Sequence, residues 1–324
     1  ASQPFQDNEN LRYLTIEQAL ADATVFLSQK TSELGCDADT EACKVIMFGG
    51  SYGGMLAAWH RLKYPHLSAG ALAMSAPVDL YPGENKEKAF YDATIDVFSK
   101  YGKSPRCGEG IAEGMAKAEM ATFQELTQAF QTCRPVESKS DVEKLMFYLK
   151  GAFATLAMLD YPYPTTFVTP MPGNPVEVAC ARMEEKYARA EILSGLNDAM
   201  NVFVNYTGQL KCHNITMELV GSGGVGEKTT YRHHFSLQQD PSLGSIYRTW
   251  NYQACTELIL EPLTSDGDGF YVENKDQIAE VEASCRRRYR NVVTRKMWML
   301  QAFGSGKDIV KHTTNMIFSD GDKD

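Results

Sequence analysis

One short stretch limits the folds open to this chain more than any other. Residues 48 to 54 read Phe48-Gly49-Gly50-Ser51-Tyr52-Gly53-Gly54, directly after the apolar run Val45-Ile46-Met47 and directly before a helical pattern. A strand that turns straight into a helix must reverse within two or three residues, and a G-x-S-x-G spacing is what such a corner needs. The serine takes a strained backbone conformation, and side chains at the flanking positions are expected to collide with neighbouring backbone, so glycine stands there. The corner lifts the Ser51 hydroxyl clear of the sheet as a candidate nucleophile. The amide of Tyr52, at the helix N-terminus, is then the expected oxyanion donor. A plain glycine-rich turn would use the same residue types, but strand, corner and helix occur here in the order that a nucleophile elbow requires.

The rest of the chain is organised around that corner. Leu14 to Leu27 has apolar residues at helical spacing, opened by Thr15 as N-cap with Gln18 three residues on, which predicts a capping box. Beyond the corner the helix runs to Tyr64 and stops at Pro65, and Gly70-Ala71-Leu72-Ala73-Met74-Ser75 reads as a second buried strand. Strand, helix, strand predicts a parallel sheet. From Tyr81 to Phe235 the pattern changes to long helical runs, Phe90 to Phe98, Ile111 to Phe130, Val142 to Leu159 and Val178 to Val204. The final residues return to mixed character and end in the strand-like Asn315-Met316-Ile317-Phe318 followed by Ser319-Asp320-Gly321-Asp322-Lys323-Asp324. The expected fold class is therefore α/β, an α/β-hydrolase core with a parallel sheet, incomplete here, and a large helical cap insertion. Residues 1–80 form the first part of the core, 81–235 the cap, and 236–324 the return to the core.

Charge and cysteine usage narrow the function classes. A net charge of −9 disfavours nucleic acid and anionic membrane surfaces, which select clustered positive charge. The basic cluster Arg286, Arg287, Arg288 and Arg290 sits in a helical stretch and reads as a solvated helix face. No apolar run reaches the ~18 to 20 residues of a membrane helix. The eight cysteines, Cys36, Cys43, Cys107, Cys133, Cys180, Cys212, Cys255 and Cys285, are spread without tight C-x-x-C pairs, which favours disulfides over zinc. Two sequons, at Asn205 and Asn214, join them in pointing to a lysosomal or secreted route. The opening Ala1-Ser2-Gln3-Pro4-Phe5 has no apolar leader, and the chain reads as an internal piece.

In the chain order of α/β hydrolases the triad acid lies after a late strand, and the histidine follows it. Asp324 occupies the acid's place. All six histidines, His60, His66, His213, His233, His234 and His312, precede it, so the triad histidine is not among them and the fragment itself is expected to be inactive. His60 and His66 read as packing or surface residues. The pair His233-His234 lacks a carboxylate or cysteine at ligand spacing, so no metal site is expected. Gly221 to Thr229 imitates a phosphate-binding loop, but Glu227 before Lys228 would repel phosphate, and a cap loop is the better reading. Asp320, Asp322 and Asp324 could open a calcium loop, but a strand precedes them where a calcium hand has a helix.

Longer motifs carry a resemblance. Gly49-Gly50-Ser51-Tyr52-Gly53-Gly54-Met55-Leu56-Ala57-Ala58-Trp59, Lys63-Tyr64-Pro65-His66, Ala157-Met158-Leu159-Asp160-Tyr161-Pro162-Tyr163-Pro164, Trp250-Asn251-Tyr252-Gln253-Ala254-Cys255-Thr256-Glu257 and Phe318-Ser319-Asp320-Gly321-Asp322-Lys323-Asp324 resemble the lysosomal Pro-X carboxypeptidase and dipeptidyl peptidase II family of serine peptidases. The Asp160 to Pro164 stretch and Asn174-Pro175-Val176 resemble the dipeptidyl peptidase II branch more closely.

The resemblance implies Ser51 as nucleophile and Asp324 as triad acid, with two departures from the family's F-S-N-G-x-L-D-P-W: Asp320 for Asn and Lys323 for Leu. Both put charge beside the acid. It implies a substrate site that includes Met55, Trp250 and Gln253, with Met55 against the proline ring and Asp240 as anchor for a substrate amine. It implies disulfides Cys107–Cys180, Cys133–Cys212 and Cys255–Cys285, leaving Cys36–Cys43 as a local pair, each loop closure worth roughly 3 to 4 kcal/mol in the entropy model. The function it implies is a serine exopeptidase that cleaves after proline through an acyl-enzyme, releasing N-terminal Xaa-Pro dipeptides. A Pro-Xaa carboxypeptidase, a catalytically silent glycoprotein of the same fold, and a lipase or esterase are the alternatives. No cofactor is expected. The expected partners are peptides with proline at the cleavage site, and a homodimer is a candidate assembly.

Overall fold

The computed structural model describes residues 8–36, 43–79, 89–104, 106–187, 191–215, 241–258, 277–289, 292–295 and 297–323. In chain order these form α1 (Asn8–Leu11), α2 (Ile16–Glu33), β1 (Val45–Gly50), α3 (Tyr52–Lys63), β2 (Ser68–Met74), α4 (Ala89–Asp96) running into a π turn (Val97–Tyr101), α5 (Cys107–Met120), α6 (Phe123–Ala129), α7 (Lys139–Met158), α8 (Pro175–Tyr187), α9 (Ile192–Val204), α10 (Pro241–Thr256), α11 (Gln277–Arg288), α12 (Trp298–Phe303), α13 (Gly306–His312) and β3 (Met316–Ser319).

The three strands make one parallel sheet in the order β1-β2-β3. Helix α3 carries the chain from β1 to β2, and β3, far along the sequence, returns to the other edge of β2, pairing Leu72 with Ile317 and Met74 with Ser319. Side chains alternate between faces along each strand. Met316 and Phe318 pack with Met55 and Trp59 of α3 in one apolar cluster, which also takes Ile16 and Leu20 of α2, Met299 and Phe303 of α12, and Ile309 of α13. The row Phe48, Leu72, Ile317 lies in register on the opposite face, where Phe48 and Ile317 are exposed.

A second, larger cluster is built from α5, α7, α8 and α9, with Phe98, Ile111, Leu149, Phe153, Leu196 and Phe203 all completely buried. Two long helical patterns of the sequence are each two helices here. Ile111 to Phe130 breaks at Ala121-Thr122, because Thr122 caps α6 in a full capping box with Glu125. Val178 to Val204 ends α8 at Tyr187 and begins α9 at Ile192. At the N-terminus of α2, Thr15 accepts from the Gln18 amide at 3.1 Å as expected. The reciprocal half of that box does not form, because the Gln18 side chain turns to Asp22 at 2.7 Å.

The three disulfides that the resemblance implies, Cys107–Cys180, Cys133–Cys212 and Cys255–Cys285, are formed, and so is the local pair Cys36–Cys43. Cys107–Cys180 joins α5 to α8, and Cys255–Cys285 joins α10 to α11. Of the basic cluster, Arg286 and Arg287 are exposed on α11, with Arg286 facing Glu282 one turn back at 3.8 Å, and Arg290 lies outside the described residues. Among the described residues, no helix is long and apolar enough to cross a membrane.

Candidate active site

Ser51 joins β1 to α3 with φ 54° and ψ −126°. Such a conformation costs a non-glycine residue about 1–3 kcal/mol and persists only where its surroundings impose it. The imposition is visible on both sides. The Ser51 amide donates to the Met74 carbonyl of β2 at 2.8 Å, and the Ser51 carbonyl accepts from the Met55 amide at 3.1 Å, the first bond of the helix. A Cβ on Gly49 would overlap the Gly53 carbonyl, and one on Gly54 would stand 2.9 Å from the Met74 carbonyl and 3.0 Å from the Ala76 Cβ. Gly53 has open space at its own Cβ position. The crowding expected at both glycines of the G-x-S-x-G spacing therefore falls on Gly49 and Gly54, since the helix turns Gly53 outward.

Ser51 is exposed, and the amide of Tyr52 occupies the first position of α3, among the amides that helix geometry leaves without carbonyl partners. The Ser75 amide donates to the Ser319 carbonyl at 2.8 Å, so Ser51, Ser75 and Ser319 stand at the carboxyl ends of adjacent strands. Parallel α/β sheets bind their ligands at that end. The segment Asp320 to Lys323 continues from it.

The Tyr52 ring packs edge-on against Trp250 of α10, centroids 5.4 Å apart. Its phenol is hydrogen-bonded to Gln253, and burial, then the nearby charge of Glu257, holds its pKa well above the ordinary tyrosine value. Gln253 is 5% exposed and also hydrogen-bonds Glu257, so it stands behind the Tyr52 ring as an internal link. The Glu257 carboxylate is fully enclosed. It accepts from the Ile16 amide at 2.8 Å and from Arg295 Nη2 at 2.5 Å. Burial raises its pKa, opposed by the Ile16 amide and by Arg295. One buried network thus fastens α10 to the start of α2 and to the residue after the nucleophile. Sequence reasoning assigned Gln253 to substrate and missed Glu257 and Arg295. The signal was a Glu at the end of an apolar-faced helix, a charge that has to be paired if buried.

Met55 is 1% exposed, within the apolar cluster below Tyr52. Asp240 and Asp324 lie outside the described residues, as do the His233-His234 pair and the Gly221 to Thr229 loop. His60 is completely buried on α3, its ring nitrogens 3.3 Å from Thr24 Oγ1 and Ser68 Oγ, while His66 is exposed. Asn205 is tied to Leu210 through both ends of its amide, Nδ2 to the carbonyl at 3.1 Å and Oδ1 from the amide at 2.8 Å. Among the described residues, no three His, Cys, Asp or Glu side chains gather as a metal site.

The family profile described as Serine carboxypeptidase S28 matches residues 1–324. The chain belongs to the serine carboxypeptidase S28 family. Lysosomal Pro-X carboxypeptidase of Homo sapiens is 33% identical over 326 residues, covering 99% of this chain and 60% of that protein. The protein of the same name in Bos taurus is 35% identical, covering 99% of this chain and 59% of its own length. A Caenorhabditis elegans protein called Prolyl carboxy peptidase like protein 5 is 30% identical over 99% of this chain and 62% of its own length. The S28 chain described here thus spans about three fifths of the curated relatives it matches. Its sheet, elbow and helix-rich remainder are those of an α/β hydrolase.

Proposed function

We propose that the complete protein is a serine exopeptidase that cleaves peptides beside proline. The observation that carries this reading is the Ser51 corner, an exposed hydroxyl in a strained conformation at the carboxyl edge of a parallel sheet, with a helix N-terminus directly behind it. In this reading Ser51 attacks the scissile carbonyl, its proton passes to a histidine oriented by Asp324, and the Tyr52 amide donates a hydrogen bond to the developing oxyanion. The acyl-enzyme is then released by water. No cofactor takes part.

Trp250 and the edge of Tyr52 form the wall for a proline ring, with Met55 beneath them and Gln253 bracing Tyr52 from behind. The support is the aromatic contact itself and the shared apolar cluster. Residues 1–80 and 236–324 supply this machinery, and 81–235 cover it as a cap. The names of the relatives favour the carboxypeptidase polarity, with release of the residue after proline. Release of Xaa-Pro dipeptides instead depends on Asp240 as an amine anchor. Four disulfides suit an oxidising compartment, and the lysosomal relatives favour the lysosome.

The test is to express the complete protein and compare hydrolysis of a C-terminal Pro-Xaa acid with that of an N-terminal Xaa-Pro amide. Turnover of the first alone supports the carboxypeptidase, and turnover of the second alone supports the dipeptidyl peptidase. Turnover of neither, under conditions where the protein is folded, contradicts the proposal.

A further inference from the structure

Asp160 is a carboxylate that the proposed chemistry does not use, yet its side chain is completely enclosed. It follows α7, and its Oδ1 accepts from the Val176 amide in the first turn of α8 at 3.1 Å. Its Oδ2 accepts from Lys323 Nζ at 2.5 Å. Lys323 comes from the other end of the chain, four residues beyond β3, and its ammonium also lies 4.8 Å from the centre of the Tyr101 ring at the end of the π turn. One lysine therefore meets the residues at the end of α7 and the end of the π turn, and Asp160 in turn holds the start of α8. A carboxylate with no water around it needs its cation, so the ion pair cannot be exchanged for solvent as a surface pair can.

The placement is specific. Ser319 is held to β2 through Met74 and Ser75, at the strand end where Ser51 stands. The segment leaving Ser319 thus has two fixed ends, the sheet on one side and Asp160 on the other. The sequence suggested that Lys323 disturbs its surroundings by adding charge. The structure shows that charge matched by Asp160.

We propose that Asp160 and Lys323 form a clamp between the helical cluster and the sheet, and that both are positioning residues for the triad acid that follows Lys323. This rests on the reading of Asp324 as the acid. The cap then helps set the catalytic geometry besides covering the site, because Asp160, between α7 and α8, holds the residue that precedes the proposed acid. Misplacing a catalytic group by about 1 Å can cost on the order of a hundredfold in rate.

The experiment uses the complete protein with K323M, K323R, D160N/K323M and D324N. It measures kcat and KM on the better proline substrate, the rate of fluorophosphonate labelling, and Tm. The double variant removes the pair without stranding a buried charge, which keeps the test open if K323M alone does not fold. The expected result for D160N/K323M is a Tm near that of the parent, a KM within about twofold, and kcat and labelling rate lowered roughly tenfold or more, with K323R recovering most of the loss. A folded D160N/K323M with parental kcat and labelling rate, beside an inactive D324N, overturns the clamp and leaves the acid assignment standing. A D324N as active as the parent overturns the acid assignment, and the clamp's role falls with it.

Discussion

Tyr52 and Trp250 meet edge to face, their ring centroids 5.4 Å apart and their planes inclined by 64°. The first is the residue after the proposed nucleophile and the second belongs to a helix that returns only after the long helical middle of the chain. Their contact, backed by Gln253 and Glu257, couples the elbow to α10. If Trp250 walls the proline site as proposed, Trp250→Ala is expected to lower kcat/KM for proline substrates about ten- to a hundredfold, the equivalent of about 1.5–3 kcal/mol of buried side chain. Trp250→Phe should lose far less. Steady-state kinetics on the complete protein measure both.

The elbow makes an asymmetric steric prediction. Gly49→Ala puts a methyl group onto the Gly53 carbonyl and should cost roughly 3 kcal/mol or more, through displacement of backbone that cannot rotate away. Gly53→Ala meets nothing and sits in the first turn of α3, where alanine is preferred to glycine by about 0.5–1 kcal/mol. Urea unfolding of the two variants should therefore differ in sign relative to the parent.

The buried Glu257 network should be intolerant of truncation. Glu257→Ala leaves the buried Ile16 amide without its acceptor and the part-exposed Arg295 without its partner, and a cost of about 1–3 kcal/mol is expected. Glu257→Gln keeps the shape and an acceptor oxygen and should cost less. Chemical denaturation gives both values.

His60 predicts a pH dependence. Burial, reinforced by the charge of His66, lowers its pKa below the usual histidine value of 6.5, so the folded state holds it neutral between two hydroxyls. The unfolded chain binds this proton at higher pH than the folded one. Stability is therefore full above the unfolded value and falls as pH drops through about 6.5 toward the folded value, at no more than about 1.4 kcal/mol per pH unit. His60→Gln should flatten that part of the profile. Thermal melts between neutral and mildly acidic pH, run on parent and variant, measure the difference.

Much of this was readable in the residues, and the parts that were not have physical reasons. The elbow was legible because strain of that kind accepts few side chains, and the parallel sheet followed from an apolar strand on either side of one helix. The break between α5 and α6 was also encoded, in Thr122 and Glu125, but continuous apolar periodicity masked it. At Thr15 the box was half right, because Asp22 competes for the Gln18 side chain one turn on. Glu257 with Arg295, and Asp160 with Lys323, join residues far apart in sequence, and no local pattern announces which buried charge meets which cation. The disulfide partners came from the family resemblance, since eight cysteines allow many pairings.

The account stands on Ser51, and the direct measurement is covalent labelling of the complete protein with a fluorophosphonate, followed by mass spectrometry of the modified peptide. The predicted result is a single phosphonylated residue, Ser51, with labelling lost in Ser51→Ala while Tm stays near that of the parent. Labelling at another serine, or a folded Ser51→Ala protein that still hydrolyses proline peptides, would contradict it.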